Sequence, residues 1–165
     1  MSLGAGEFGR LAEIHRPRAL RFASAFLGDP DRAQDLVQEA LGRLFERRDD
    51  YPLDTHFGPY LVKVLARLCV DQKRSARPGR GLLSLFQREP EQPPEALEKR
   101  ETRRKVGEAV GRLAARERAC LLLVVCEGMG HAEAAEALSL TPSEVNNALH
   151  RARTALREDL KEVGS

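Results

Sequence analysis

The sequence predicts an all-α fold of two small helical domains joined by a linker. Apolar residues recur at helical spacing through most of the 165-residue chain, and no segment alternates apolar and polar residues as a half-buried strand would. Hydrophobic residues make up 42% of the chain and charged residues 32%, which favours packed helical cores beneath a highly charged surface. Helices are expected near residues 6–27, 30–48, 57–75, 96–113, 115–127, 131–138 and 142–162.

Proline and glycine mark the boundary between the two domains. The stretch RPGRGLLSLFQREPEQPPEA is longer than an ordinary connection between helices, so it is interpreted as a linker. This places the first domain at residues 1–77, the linker at 78–97 and the second domain at 98–165. The linker carries an apolar patch that either folds back on a domain or enters a groove on a partner, namely Leu82, Leu83, Leu85 and Phe86.

Composition excludes several functional classes. No apolar run approaches the roughly 20 residues that cross a bilayer, and the N-terminus resembles no secretory signal, so we expect a cytoplasmic protein without membrane insertion. The chain has no glycine-rich nucleotide loop, no metal-ligand spacing and no nucleophile and base pattern. We therefore expect no enzyme activity, no cofactor and no metal. The three cysteines, Cys69, Cys120 and Cys126, lie in apolar helical runs and are expected to be buried.

The most specific local pattern is a helix-turn-helix in GHAEAAEALSLTPSEVNNALHRAR. Ala135 is the small residue where the second helix crosses, Ser139 occupies the turn, and the apolar core set is Leu138, Leu140, Val145 and Ala148. Thr141-Pro142-Ser143-Glu144 then forms a capping box that begins the second helix rigidly. A plain helical hairpin is the alternative explanation of this half taken alone.

A recognition helix at this position would place one polar face in the DNA major groove. Amides there can pair with adenine edges and arginine with guanine or phosphate, and the face comprises Ser143, Asn146, Asn147, His150 and Arg151. Further along, Arg153 and Arg157 would contact the backbone. Glu144 is assigned to capping and excluded from base contact.

Two blocks of sequence, in order, resemble one protein family. The segment LGDPDRAQDLVQEALGRLF resembles the start of conserved region 2 of the extracytoplasmic-function (ECF) sigma factors of bacterial RNA polymerase. The segment that begins at Val110, VGRLAARERACLLLVVCEGMGHAEAAEALSLTPSEVNNALHRARTALREDL, resembles their region 4. The order, the intervening linker and the short length also match, so the two domains are identified with sigma region 2 and sigma region 4.

The resemblance implies a transcription initiation factor that binds core RNA polymerase and promoter DNA. The region 2 helix would bind the clamp helices of the β′ subunit through Asp35, Gln38, Glu39 and Arg43. Region 4 would read the −35 element as duplex and contact the β flap. The resemblance also implies an anti-sigma factor as a partner.

The loop and helix that follow in region 2 would melt and hold the −10 element. Aromatic or apolar walls suit an unstacked base, and here they would come from Tyr51, His56 and Phe57. Basic residues suit the strand backbone, and these would be Lys63, Arg67, Lys73 and Arg74. The chain departs from the family pattern at Tyr60, Leu68, Ala134 and Asn146, which leaves the promoter sequence and the strength of melting undetermined.

Two other functions are compatible with parts of the sequence. A sigma-like interaction module, with weakened DNA contacts and an anti-sigma factor or polymerase as its main partner, would fit the small net charge of +2. A dimeric helix-turn-helix repressor would account for the second half alone.

Overall fold

The computed structural model describes residues 3–72 and 96–161, and these ranges contain helices without strands. The helices are α1 (Ala5–Leu27), α2 (Pro30–Glu46), α3 (Leu53–Asp71), α4 (Ala96–Gly111), α5 (Ala115–Leu121), a π-helical turn (Leu122–Cys126), α6 (His131–Leu138) and α7 (Pro142–Asp159). The predicted all-α class is confirmed. The linker residues up to 95, with their apolar patch, lie outside the described residues.

In the first half, α1, α2 and α3 pack around one core. Phe22, Leu44 and Leu61 are among its fully buried side chains. The turn between α1 and α2 is well specified, because Gly28 takes a left-handed φ of 67° and the Asp29 side chain accepts from the backbone N–H groups of the second helix. Helix α1 continues through Pro17 without ending.

Helix α3 begins with a short turn that the sequence did not predict. His56 has non-helical angles (φ −130°, ψ 33°), so the regular helix begins at Phe57, where it was expected. Gly58 lies directly against α1: a Cβ atom there would meet Arg18 Nη1 at 2.7 Å and His15 Nδ1 at 2.9 Å. A larger residue at position 58 would therefore require the Arg18 and His15 side chains to shift.

In the second half, α5, α6 and α7 build the helix-turn-helix. Ala135, Val145 and Ala148 are buried in its core, and Leu138 and Leu140 pack partly buried against it. Ser139 takes the left-handed conformation at the turn, with φ 55°. Because an L-residue other than glycine is strained there, this turn is held by its surroundings.

Cysteine burial was predicted correctly for two of the three positions. Cys69 and Cys120 are buried, but Cys126 is exposed. The cause is the π-helical turn, in which Glu127 N–H donates to the Leu122 carbonyl across five residues and widens the helix. Val125 and Cys126, the last two residues of this turn, lie at the surface, and Met129 beyond it returns to the core.

The two halves pack directly against each other. Helix α3 contacts α5 and α6, and α1 contacts α4. An ion pair with 2.6 Å between Arg18 Nε and Glu127 Oε2 crosses the boundary, and its carboxylate side chain is only 11% exposed. Within the described ranges, no helix combines the length and the apolar character that crossing a membrane requires.

Candidate functional site

Helix α7 separates an apolar face from the predicted reading face. Val145, Ala148, Leu149 and Ala152 are fully buried. The predicted reading set is exposed at every position, namely Ser143, Asn146, Asn147, His150, Arg151 and Arg153. The 3.6-residue period of the helix places apolar and polar residues on opposite faces, and none of these six polar side chains is buried in the core.

The start of α7 is fixed by the predicted capping box. The Glu144 backbone N–H donates to Thr141 Oγ1 at 3.1 Å, and the Thr141 N–H donates to Glu144 Oε1 at 3.2 Å. The other carboxylate oxygen of Glu144 lies 3.9 Å from Arg116 Nη1 of α5. The negative charge at this end of α7 is therefore partly compensated by a cation.

A second contact joins α5 to the reading face. Arg151 Nε donates to Glu117 Oε1 at 3.1 Å. Sequence reasoning missed both Arg116 and Glu117, because they precede the helix-turn-helix pattern and only tertiary packing brings them beside α7. Their adjacent opposite charges at the beginning of a helix were the only available signal.

Aromatic and basic side chains of the first half, together with two residues of α6, line an open cavity of about 540 Å³. Tyr51 and Tyr60 stack with ring centroids 4.6 Å apart, Arg47 lies 5.3 Å from the Tyr51 centroid, and Lys63 Nζ lies 4.9 Å from that of Tyr60. The cavity is lined by Arg43, Glu46, Arg47, Tyr51, Tyr60, Lys63, Val64, Arg67, Glu136 and Ala137. It thus combines flat aromatic surface with a cluster of positive charge.

The structure brings together three of the residues predicted for the −10 element. Tyr51, Lys63 and Arg67 line this cavity. Arg47 and Tyr60 were missed. Tyr60 precedes Lys63 by one turn of α3, whereas Arg47 and Tyr51 lie between the end of α2 and the start of α3, where no helical spacing relates them. The stacking of the two tyrosines depends on tertiary packing, which the sequence pattern did not reveal.

The other predicted residues of this group lie elsewhere. His56 is exposed, and its Nδ1 lies 2.7 Å from Thr55 Oγ1. Phe57 is only 2% exposed, and its ring makes an edge contact with that of Phe8 and stacks on that of His15. Burial lowers the pKa of His15, and the nearby Arg18 charge adds to the effect. Lys73 and Arg74 lie outside the described residues.

Two cations of the cavity are engaged by the second half. Lys63 Nζ is 4.0 Å from Glu133 Oε2, and Arg67 Nη1 donates to Ser139 Oγ at the helix-turn-helix turn. Helix α6 thus lies across one side of the aromatic and basic surface.

The predicted polymerase face on α2 is a continuous polar surface. Leu36, Val37 and Ala40 lie on the buried side of the helix. The opposite side is exposed and carries Asp35, Gln38, Glu39 and Arg43. Arg43 Nη2 lies 2.9 Å from Glu39 Oε1 and also lines the cavity, so the two predicted surfaces adjoin.

Comparison with known protein families matches both halves of the chain. Residues 11–78 match the family model described as Sigma-70 region 2, and residues 103–156 match that described as Sigma-70, region 4.

Curated relatives match across almost the whole chain. The ECF RNA polymerase sigma factor SigL of Mycobacterium tuberculosis is 30% identical over 158 residues, covering 93% of this chain and 89% of the relative. The RNA polymerase sigma-E factor of Streptomyces coelicolor is 30% identical over 159 residues, with coverage of 93% and 86%. SigW of Bacillus subtilis, also an ECF RNA polymerase sigma factor, is 21% identical over 168 residues, with coverage of 94% and 90%.

Two solved structures share the fold. CnrH, in complex with the cytosolic domain of CnrY, has a TM-score of 0.68 and 22% identity, over 96% of this chain and 90% of that one. The sigma factor RpoE of Bartonella quintana, in complex with the anti-sigma factor NepR, has a TM-score of 0.67 and 22% identity, with coverage of 93% and 96%.

Proposed function

Because the chain belongs to the ECF group of RNA polymerase sigma factors, we propose that its two halves divide promoter recognition between them. In this proposal α7 reads the −35 element as duplex, and the first half melts and holds the −10 element. Membership of the family makes the chain a transcription initiation factor, and sigma factors have no catalytic role in that process.

The exposed polar face of α7 is the observation that supports reading of the −35 element. Its side chains are free of the core, and its first turn is held by the capping box. Asn147 can pair with an adenine edge, and Arg151 can bind guanine or phosphate. Arg153 and Arg157, both exposed further along the helix, are suited to the phosphate backbone.

The cavity lined by Tyr51 and Tyr60 supports a role in holding the −10 strand. Stacked tyrosines offer a platform for an unpaired base, and the surrounding cations suit the phosphates. In the packed arrangement, Lys63 and Arg67 already have partners on α6 and at its end. We expect both cations to exchange these partners for phosphates when the strand binds.

The exposed face of α2 is the proposed docking surface for the β′ clamp helices. Asp35, Gln38 and Glu39 supply its acidic and amide groups, while Arg43 adds a cation. The β flap is the proposed contact of the second half.

An anti-sigma factor is a further proposed partner. One related fold is solved with the anti-sigma factor NepR, and another with the cytosolic domain of CnrY. The engagement of Lys63 and Arg67 by the second half also favours the alternative function, a sigma-like module that mainly binds proteins and has weakened DNA contacts.

Run-off transcription with core RNA polymerase tests the proposal. The full chain is added to core enzyme and a library of genomic fragments, and the 5′ ends of the transcripts are mapped. We expect initiation at defined positions, reduced by Arg151→Ala and unchanged by Arg104→Ala, which alters an exposed arginine on α4. Polymerase binding without defined initiation would support the interaction module instead.

A further inference from the structure

Two ion pairs fasten the beginning of α5 to one side of α7. Arg116 lies 3.9 Å from Glu144, and Glu117 lies 3.1 Å from Arg151. Residues 144 and 151 are two helical turns apart, so they lie on the same side of α7 with Asn147 one turn from each. The first turn of α5 therefore runs beside the proposed reading face.

The Glu117 and Arg151 side chains differ in their freedom. The Glu117 side chain is 19% exposed and the Arg151 side chain 57% exposed, so a partly buried carboxylate accepts from an exposed guanidinium. The contact uses Nε of Arg151. A guanidinium fixed through Nε keeps a defined plane, and its two terminal nitrogens carry further N–H donors.

We propose that Glu117 is a positioning residue, which holds the Arg151 guanidinium in a plane suited to DNA before the complex forms. This rests on the proposed reading of duplex DNA by α7. An acidic residue beside DNA would ordinarily weaken binding through repulsion of phosphates. Glu117 strengthens it, because an arginine that is already ordered loses less conformational freedom on binding.

The changes in DNA affinity and in stability when the Glu117 carboxylate is removed distinguish positioning from two other roles. If Glu117 only competed with DNA for Arg151, removing the carboxylate would tighten binding. If it served only to hold α5 against α7 through this contact, its removal would also lower the free energy of unfolding, which urea denaturation of Glu117→Ala measures and which positioning leaves nearly unchanged. Positioning predicts weaker binding that depends on Arg151.

The test uses the full chain and a duplex selected by that chain from a random pool, with binding measured by fluorescence anisotropy over a series of salt concentrations. We expect Glu117→Ala to weaken binding about two- to tenfold, the range for ordering one long side chain. Glu117→Gln should retain most of the affinity, because its amide oxygen still accepts from Nε. Glu101→Gln, an exposed acidic position on α4, is the matched control for lost charge and should bind at least as tightly as the wild type.

The decisive measurement is Glu117→Ala in an Arg151→Ala background. We expect no further loss there, and we expect Arg151→Ala alone to lower the salt slope by about one. Equal or tighter binding by Glu117→Ala, a loss that persists without Arg151, or failure to select any duplex would overturn the proposal. Run-off transcription tests the sigma function separately. If the chain directs initiation at defined positions while Glu117→Ala leaves DNA affinity unchanged, the proposed function stands and the positioning role of Glu117 is wrong.

Discussion

Arg118 Nη1 donates to the carbonyl oxygen of Phe26 at 2.8 Å and thereby ties the second half of the chain to the end of α1. The same guanidinium donates to the carbonyls of Gly111 at 2.7 Å and Leu113 at 2.9 Å, and it is 7% exposed as a residue. It also lies 4.8 Å from the centre of the Phe26 ring. One buried cation therefore satisfies the carbonyls at the end of α4 and joins the two halves.

Replacing Arg118 with Met should lower the free energy of unfolding by about 3 kcal/mol, because buried carbonyls would lose their donors. Urea denaturation followed by circular dichroism measures the change. The control is Arg112→Met, which removes an exposed partner of Asp159 and should change stability by about 0.5 kcal/mol or less. Similar losses in both variants would contradict the assigned role of Arg118.

Most of the helical structure could be predicted from sequence, because its signals are local. Asp29-Pro30 and Thr141-Pro142 begin α2 and α7 at the expected residues, and the apolar period assigned the α7 faces correctly. The contacts between the halves could not be predicted in this way. Arg118 and Phe26 are 92 residues apart, and an arginine among charged neighbours carries no sequence signal of burial.

The candidate site shows the same division between local and tertiary information. Exposure of Asn147 and Arg151 follows from helical periodicity, whereas the approach of Glu117 does not. The surface position of Cys126 was missed because this residue ends a π-helical turn that shifts it off the α-helical period, and no residue pattern predicted that turn.

Stability should decrease above pH 9 because of Cys69. Burial raises the pKa of this thiol to about 12 from 9.0. The folded-state value is the higher one, so the unfolded chain loses its proton first. The contribution of the protonated Cys69 thiol to the free energy of unfolding is complete below pH 9. It is lost between pH 9 and about 12, by up to about 1.4 kcal/mol per pH unit.

Urea unfolding of the reduced protein at pH 8, 9 and 10 measures this dependence. Cys69→Ala should show a flatter decline, since the other titrating groups are common to both proteins. An identical decline would exclude Cys69 as the source.

Removing the Thr141 hydroxyl should destabilise the helix-turn-helix. Thr141→Ala deletes the acceptor for the Glu144 N–H, and loss of such a cap costs about 1 kcal/mol. Chemical denaturation checks the value. Thr154→Ala is the matched control, because this exposed hydroxyl donates to the His150 carbonyl within α7 and its loss should cost little. Equal effects at the two positions would argue against the cap.

The ion pair between Arg18 and Glu127 should contribute measurable coupling between the halves. Its side chains are 31% and 11% exposed, and the short 2.6 Å contact is charge-assisted. A double-mutant cycle with Arg18→Gln and Glu127→Gln should give about 1 kcal/mol of coupling in the free energy of unfolding. The exposed pair Arg47 and Asp50 is the comparison and should give less. Coupling near zero for the first pair would mean that the contact adds nothing to interdomain packing.

The face of α2 should serve binding and not folding. Replacing Gln38 and Glu39 together with Ala removes exposed side chains and breaks the exposed contact of Glu39 with Arg43, while Ala favours helix. The circular-dichroism melt should therefore stay nearly unchanged. Affinity for core RNA polymerase, measured by fluorescence anisotropy of labelled chain, should fall about tenfold, as expected when an interface loses about 1.4 kcal/mol. Glu13→Ala, at an exposed position on α1, controls for the loss of negative charge and should bind normally. A collapsed melt would assign Gln38 and Glu39 to the fold, and unchanged polymerase affinity would remove this face from the proposed docking surface.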